Sequence, residues 1–371
     1  MLQAIAVRTP YGNSSLTIWG VYNPATKHVA VPPTAFLIHR AIQDGIADST
    51  LRGNAYTLTS YFNVLKRNNI NWRDISDTQM RKYFEGILFK HRNLSGASIT
   101  NHIGLLSGFY TWAEKYGWCD SFDRFSFKMS NELLEELELA KGNTDGNLPF
   151  NLNSQYIDKK EFREFLNFNS GRQDYEIQRN EIILELGYLC GCRAAEVVFK
   201  QNFRARQLKK IFNAQKVETS LNDGFELGII GKGASGGKHR IIWVPDDLSR
   251  KLKAYFQRSK TLGDGNIICT KNGKHLNKQF ASSVFTNTRH NLLIQSQDLG
   301  DWGSPSRSFH SLRHSYATNF ILDNGSHDAM RSLLKSRMGH EDFKTTEIYL
   351  TFSAILRGET YMQKTETNHE Q

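Results

Sequence analysis

Two imidazoles and a guanidinium are spaced as on a single helical turn in His310-Ser311-Leu312-Arg313-His314. His310 and Arg313, three residues apart, share one helix face at that spacing, so two donors suited to a phosphate would point together. An ordinary polar face of a surface helix is the competing reading. His310 and His314 also have the four-residue spacing of two helix-borne metal ligands. The glutamate that accompanies such a pair in H-E-x-x-H is missing, so metal binding is the weaker expectation and no cofactor is expected.

Three more boxes carry groups of the same kind. In Gly191-Cys192-Arg193-Ala194-Ala195-Glu196 an arginine follows a strongly apolar run. A guanidinium leaving such a segment needs an anion to offset its lost hydration, either a carboxylate such as Glu196 or a bound phosphate. Both readings stay open on spacing alone. Residues 231–240 set Lys232, Lys238, His239 and Arg240 on a glycine-rich connection able to approach a phosphate backbone closely. The order G-x-x-x-x-G-K-[ST] of a nucleotide-binding loop is not there, and a solvated basic turn is the alternative. Finally, Gly339-His340 precedes Tyr349. A phenol is a poor nucleophile at neutral pH because its pKa is about 10, so cations such as His340 and the arginines would have to stabilise the phenolate as it forms. Taken alone, Tyr349 reads better as a half-buried helix residue than as a nucleophile.

The elements that would position these groups follow from periodicity. Residues 1–34 alternate in places, as in Leu16-Thr17-Ile18-Trp19, with Asn23-Pro24 and Pro32-Pro33 as punctuation, which predicts an N-terminal arm or β-hairpin. Over residues 35–125, apolar positions at Ala55, Leu58, Phe62 and Leu65, then Ile99, Ile103, Leu106 and Tyr110, predict amphipathic helices, with Ser76 and Ser95 placed as N-caps. Residues 126–155 read as a linker holding a short solvated acidic helix, Glu132 to Glu138, and the polar stretch Gly142-Asn143-Thr144-Asp145-Gly146-Asn147. Residues 156–356 form a second domain. It has a helix around Phe162 and Phe165, a buried helix through Ile182 to Leu189, a β-hairpin flanking the glycine-rich connection, and further helices to Leu356. Residues 357–371 are a polar tail.

Composition narrows the partners. The 371 residues are 39% hydrophobic and 23% charged, which suits two packed domains and excludes collagenous or low-complexity chains. Lys and Arg number 47 against 37 Asp and Glu, a net +10, which points to an anionic partner. Residues 1–150 hold 15 basic and 13 acidic side chains, so most of the excess lies beyond them. Lys200, Arg204, Arg206, Lys209, Lys210 and Lys216 are concentrated in one segment, readable as contacts to a nucleic-acid backbone or as a solubilising loop. With no apolar run of the roughly 18 to 20 residues that span a membrane, and no signal-like N-terminus, a cytoplasmic protein is expected. The four cysteines form no C-x-x-C pair, so neither a zinc site nor a disulfide framework is expected.

Taken together, in order, spacing and local wording, the four boxes resemble the tyrosine recombinase, or phage integrase, family, sharply over residues 180–355 and more loosely over 35–120. The resemblance implies a mainly α (α+β) fold: a helical N-terminal core-binding domain, and a catalytic domain with a small antiparallel β-sheet. It implies Arg193, Lys232, His310, Arg313, His340 and Tyr349 as the active site, with Lys238 a rival to Lys232 as general acid and His310 a candidate base for the phenol. Lys200, Arg204, Arg206, Lys209, Lys210, Lys238 and Arg240 are expected on DNA. The implied function is site-specific recombination or integration for a mobile element, through a covalent 3′-phosphotyrosine intermediate on double-stranded DNA, by a homotetramer, with room for accessory directionality factors. A type IB topoisomerase and a catalytically silent DNA-binding regulator of the same fold are the alternatives, and a zinc hydrolase on His310 and His314 comes last.

Overall fold

A computed structural model of the chain describes residues 1–12, 14–120, 128–142, 150–217, 224–231, 238–261, 263–296, 300–303, 307–340 and 343–358. They fall into two compact units, Met1–Asp145 and Gly146–Gln371. Lys232, most of the glycine-rich connection, most of the polar stretch after Gly142 and nearly all of the C-terminal tail lie outside the described residues.

The first unit opens with an antiparallel sheet of β1 (Gln3–Tyr11), β2 (Ser14–Asn23) and β3 (His28–Val29), in that order. It is no free arm. Val21 is fully buried, the Leu2 backbone is bonded both ways to the Asn63 side chain, and Trp19 Nε1 donates to Asp48 at 2.8 Å. Helix α1 (Val31–Ile42) begins at the two prolines rather than after them, because the first helical turn needs no amide donors and favours the fixed proline φ. Then come α2 (Asp48–Arg67), α3 (Asp77–Arg81), a π-helix over Lys82–His91, α4 (Gly96–Lys115) and α5 (Asn131–Gly142). Ser76 closes a reciprocal capping box with Gln79, and Ser95 accepts from the Ser98 amide. The acidic helix α5 is not simply solvated. Its Leu133 and Leu137 are buried in the core that Phe62, Phe109 and Tyr110 help to build, each contributing about 1.5–3 kcal/mol of transfer free energy.

The second unit contains α6 (Phe150–Gln155), α7 (Lys159–Leu166), α8 (Asp174–Cys190), α9 (Ala194–Val197) and α10 (Ala205–Val217), then the hairpin β4 (Phe225–Ile230) and β5 (His239–Val244). Helices α11 (Asp246–Arg258), α12 (Phe280–Gln295), α13 (Phe309–Asn324), α14 (Asp328–Met338) and α15 (Lys344–Leu356) complete it. The apolar run Ile182 to Leu189 is the C-terminal half of α8, where the side chains are buried almost all round. Such a helix belongs at the centre of a domain. The hairpin pairs Phe225 with Val244 through Ile230 with His239, so Phe225, Leu227 and Ile229 share the inner face. The basic segment is not a loop. Most of it is α10, with Leu208 and Phe212 buried and Lys209 and Lys210 turned outward. None of the described helices is long and apolar enough to cross a membrane.

Candidate functional site

Two helix ends build the site. Helix α8 stops at Cys190 because Gly191 takes a left-handed φ of 63°, and a Cβ there would lie 2.5 Å from the Tyr316 ring. The chain reverses and delivers Arg193 to the N-cap of α9, where its amide and Nη1 both donate to the Glu196 carboxylate at 2.8 Å. Helix α14 ends in the same way at Gly339, φ 63°, and delivers His340. A Cβ on Gly339 would meet Arg240 Cδ at 2.9 Å.

Buried cations tie these two ends together. Arg313, 1% exposed, donates to the Gly191 carbonyl at 2.5 Å and to the Met338 carbonyl. Arg240 donates to the Gly191 carbonyl at 3.1 Å, to the Arg337 carbonyl, and to Glu196 Oε2 at 2.6 Å. Helix C-termini carry unpaired carbonyls and partial negative charge, which is why two guanidiniums can be buried against them. The expectation that Arg240 contacts DNA is therefore corrected. Its side chain is 3% exposed and both Nη atoms are bonded to internal partners, because the alternation of β5 turns it inward while His239 and Ile241 face out.

Against this frame lies Tyr349, on α15 and 4% exposed. Its hydroxyl is 2.8 Å from His314 Nδ1, and its ring lies nearly parallel to His340, centroids 6.3 Å apart. His340 Nδ1 is 3.1 Å from the buried Thr346 hydroxyl. His310 is exposed, its ring edge-on to His314 with centroids 4.4 Å apart. The structure thus gathers Arg193, His310, Arg313, His340 and Tyr349. It adds His314 at the phenol oxygen, which spacing alone suggested only as a metal ligand; Glu196 pairs with Arg193, as one of the two readings of that box had it, and Arg240 joins the same carboxylate. The signal for His314 was its place one turn after His310, on the same helix face.

The cluster is short of negative charge. Three guanidiniums, Arg193, Arg240 and Arg313, act on a single carboxylate, that of Glu196, among the described residues at this point. Burial alone would raise the Glu196 carboxyl, but Arg240 and Arg193 more than offset this and hold it below its usual range. Burial and then repulsion from Arg193 and Arg240 push Arg313 down to about 9, so it stays charged at pH 7. Burial followed by cationic neighbours pushes His314 and His340 down to about 3. His310 shifts the same way through lost hydration and then Arg313 and Arg193. Burial pushes the Tyr349 phenol up to about 12, while Arg313 and Arg193 pull against it. Such a cluster favours an incoming anion and keeps its imidazoles neutral.

An open cleft of about 470 Å³ adjoins these groups, lined by Arg193, Lys238, Lys335, His340 and Phe343 among others. Lys238 is exposed beside it, and Lys335 sits over the Phe343 ring at 4.0 Å. Lys200, Arg204, Arg206 and Lys210 line a second groove, with His239 and Asp264. All four are exposed, with Arg204 paired to Asp264. Lys209 is exposed on α10 nearby in sequence.

The second unit coincides closely with a match to the model of the phage integrase family, over residues 155–354. Among curated proteins the chain is 24% identical to the tyrosine recombinase XerD of Oceanobacillus iheyensis over 317 residues, covering 83% of this chain and 89% of that one. It is 26% identical to XerC of Vibrio cholerae over 176 residues, 46% of each chain. Among solved structures, the Tn1549 transposon integrase in complex with transposon right end DNA superposes with a TM-score of 0.58 at 14% identity, covering 88% of this chain and 98% of that one. The XerH site-specific recombinase bound to palindromic difH substrate gives 0.56 at 16% identity, over 84% and 78%. With a family match spanning more than half its length and centred on the helices that carry these side chains, the chain belongs to the phage integrase family of tyrosine recombinases.

Proposed function

We propose that the chain is a site-specific DNA recombinase that cleaves and rejoins strands through a covalent 3′-phosphotyrosine on Tyr349. The observation that carries this reading is the placement of the Tyr349 hydroxyl in a cluster whose three guanidiniums face one carboxylate. A phosphodiester under attack gains charge on its non-bridging oxygens, and fixed guanidiniums bind such oxygens with paired hydrogen bonds. Arg193 takes that role, with His310 and His340 as further phosphate donors, while Arg313, buried and bonded to the Gly191 and Met338 carbonyls, contributes its positive charge. Tyr349 attacks phosphorus, its O–P bond forms as the bond to the 5′ oxygen breaks, and the bond energy is kept for religation. The 5′ oxygen takes its proton from a hairpin lysine, Lys232 or Lys238.

The substrate is double-stranded DNA. Two of the relatives named above are DNA-bound recombinases or integrases by their descriptions, which supports that class of partner. Lys200, Arg204, Arg206, Lys209 and Lys210 add backbone contacts from an exposed face. Exchange between two sites needs paired protomers, so a homotetramer on DNA is the working assembly. Incubation with duplexes nicked near a candidate site, followed by denaturing electrophoresis, tests the chemistry. A protein–DNA adduct is expected, and its persistence in Tyr349→Phe would refute the assignment.

A further inference from the structure

We propose that His314 is the base for this reaction, accepting the phenol proton of Tyr349 as its oxygen attacks phosphorus. The inference rests on the strand-cleavage reading above and deepens it. Of the three imidazoles near Tyr349, His314 is the one hydrogen-bonded to the reacting oxygen, Nδ1 to Oη at 2.8 Å. That is within the reach proton transfer requires. His340 stacks on the phenol ring and directs its Nδ1 to Thr346 at 3.1 Å. His310, the base expected from the motif, stands one turn back on α13, and it is the His314 ring that lies edge-on between it and α15.

Before substrate enters, the surroundings keep His314 neutral but weakly basic. His310 and Arg313 on α13 and His340 after α14 act on His314, and Arg313 and Arg193 act on Tyr349. Burial first, with Arg313 beside it, keeps the imidazole neutral, so the Nδ1 lone pair can accept while Nε2 carries the proton. Burial keeps the phenol protonated until it reacts. A phosphodiester entering beside Arg193 and Arg313 brings negative charge that raises the proton affinity of His314, so the base strengthens as substrate binds. In cleavage the Tyr349 O–P bond forms, the P–O5′ bond breaks, the phenol proton passes to His314 Nδ1 and the 5′ oxygen takes a proton from the hairpin lysine. In religation the 5′ hydroxyl attacks, the lysine recovers its proton and the departing phenolate recovers its own from His314.

The test uses the full chain and a pool of labelled, nicked duplexes with a randomised core, from which a duplex attached by the wild type is recovered. Single-turnover adduct formation on that duplex is then compared for His314→Ala, His314→Gln and His310→Gln. The expected result is a loss of about 10²- to 10⁴-fold in His314→Ala with duplex affinity retained, and partial restoration by added imidazole. Replacing Tyr349 by a difluorotyrosine, whose phenol is more acidic, should shrink the loss caused by His314→Ala and His314→Gln alike. A mere packing role would leave that loss unchanged and unresponsive to imidazole, and either that outcome or wild-type rates in His314→Ala would overturn the proposal. Absence of adduct in Tyr349→Phe alongside such a result would leave the strand-cleavage reading standing. Failure of the wild type to attach to any duplex, or an adduct in Tyr349→Phe, would remove that reading and this inference with it.

Discussion

Replacing Arg240 by alanine separates an internal clamp from a DNA contact, because the two roles move different observables. The side chain is 3% exposed and joins Glu196 to the carbonyls of Gly191 and Arg337. Its loss leaves the Glu196 carboxylate buried with Arg193 alone and strips a donor from each helix end. Breaking a buried pair of this kind costs about 3–5 kcal/mol. For a unit of this size, roughly 2–4 °C of melting temperature accompanies each kcal/mol, so a drop of about 6 to 20 °C is expected. An exposed phosphate contact behaves oppositely. Its removal changes stability by about 0.5 kcal/mol or less, but lowers by about 1 the slope of log affinity against log salt. Thermal unfolding followed by circular dichroism, together with binding to a random-sequence duplex between low and moderate salt, reads both quantities. A melting temperature within a degree of wild type, with a slope reduced by one phosphate, would refute the clamp and restore Arg240 to the DNA surface.

Other perturbations probe the remaining geometry. Gly339→Ala forces a side chain into a left-handed backbone and to within 2.9 Å of Arg240 Cδ, so a loss of about 1–3 kcal/mol is expected in denaturant titration, and an unchanged midpoint would contradict it. Changing Lys200, Arg206 and Lys210 together to Gln should leave the melting temperature nearly unaltered and reduce the salt slope by about 3, whereas an unaltered slope would make that face a solubilising one. His314 and His340 have folded pKa values near 3, below the usual 6.5, so between those limits the unfolded chain binds more protons. Stability is therefore complete above about pH 6.5 and falls on acidification at up to about 1.4 kcal/mol per pH unit for each such histidine. Unfolding measured from pH 7 to pH 4 should show this decline, and His340→Gln should flatten it.

Much of the local architecture was legible because it depends on neighbours in the chain. Ser76 and Ser95 cap helices through amides three residues away, and the apolar run of α8 marks a helix buried on all sides. The hairpin strands flank the connection as their alternation predicts. Misreadings arose where a segment's environment came from elsewhere. The acidic run looks solvated until Leu133 and Leu137 find a core, and the basic segment allows a loop until Leu208 and Phe212 do; the N-terminal hairpin was one of two readings, and only its tie to Asn63 was out of reach of the local pattern. Arg240 and Lys238 stand two residues apart in one basic turn, yet one is an internal ligand of helix ends and the other is exposed.

Residue identity and spacing alone determined that this chain holds guanidiniums, imidazoles and a phenol in boxes suited to phosphate chemistry, since those depend only on side-chain type and helical pitch. Which of these groups meet was decided by tertiary structure. Arg193 reaches the cluster because Gly191 reverses the chain, and His340 because Gly339 does; both turns are clamped by cations from β5 and α13. The partner of the Tyr349 oxygen is a contact across 35 positions of sequence. No local pattern encodes it, because it arises only when α13 and α15 pack and burial sets which atoms are left facing one another.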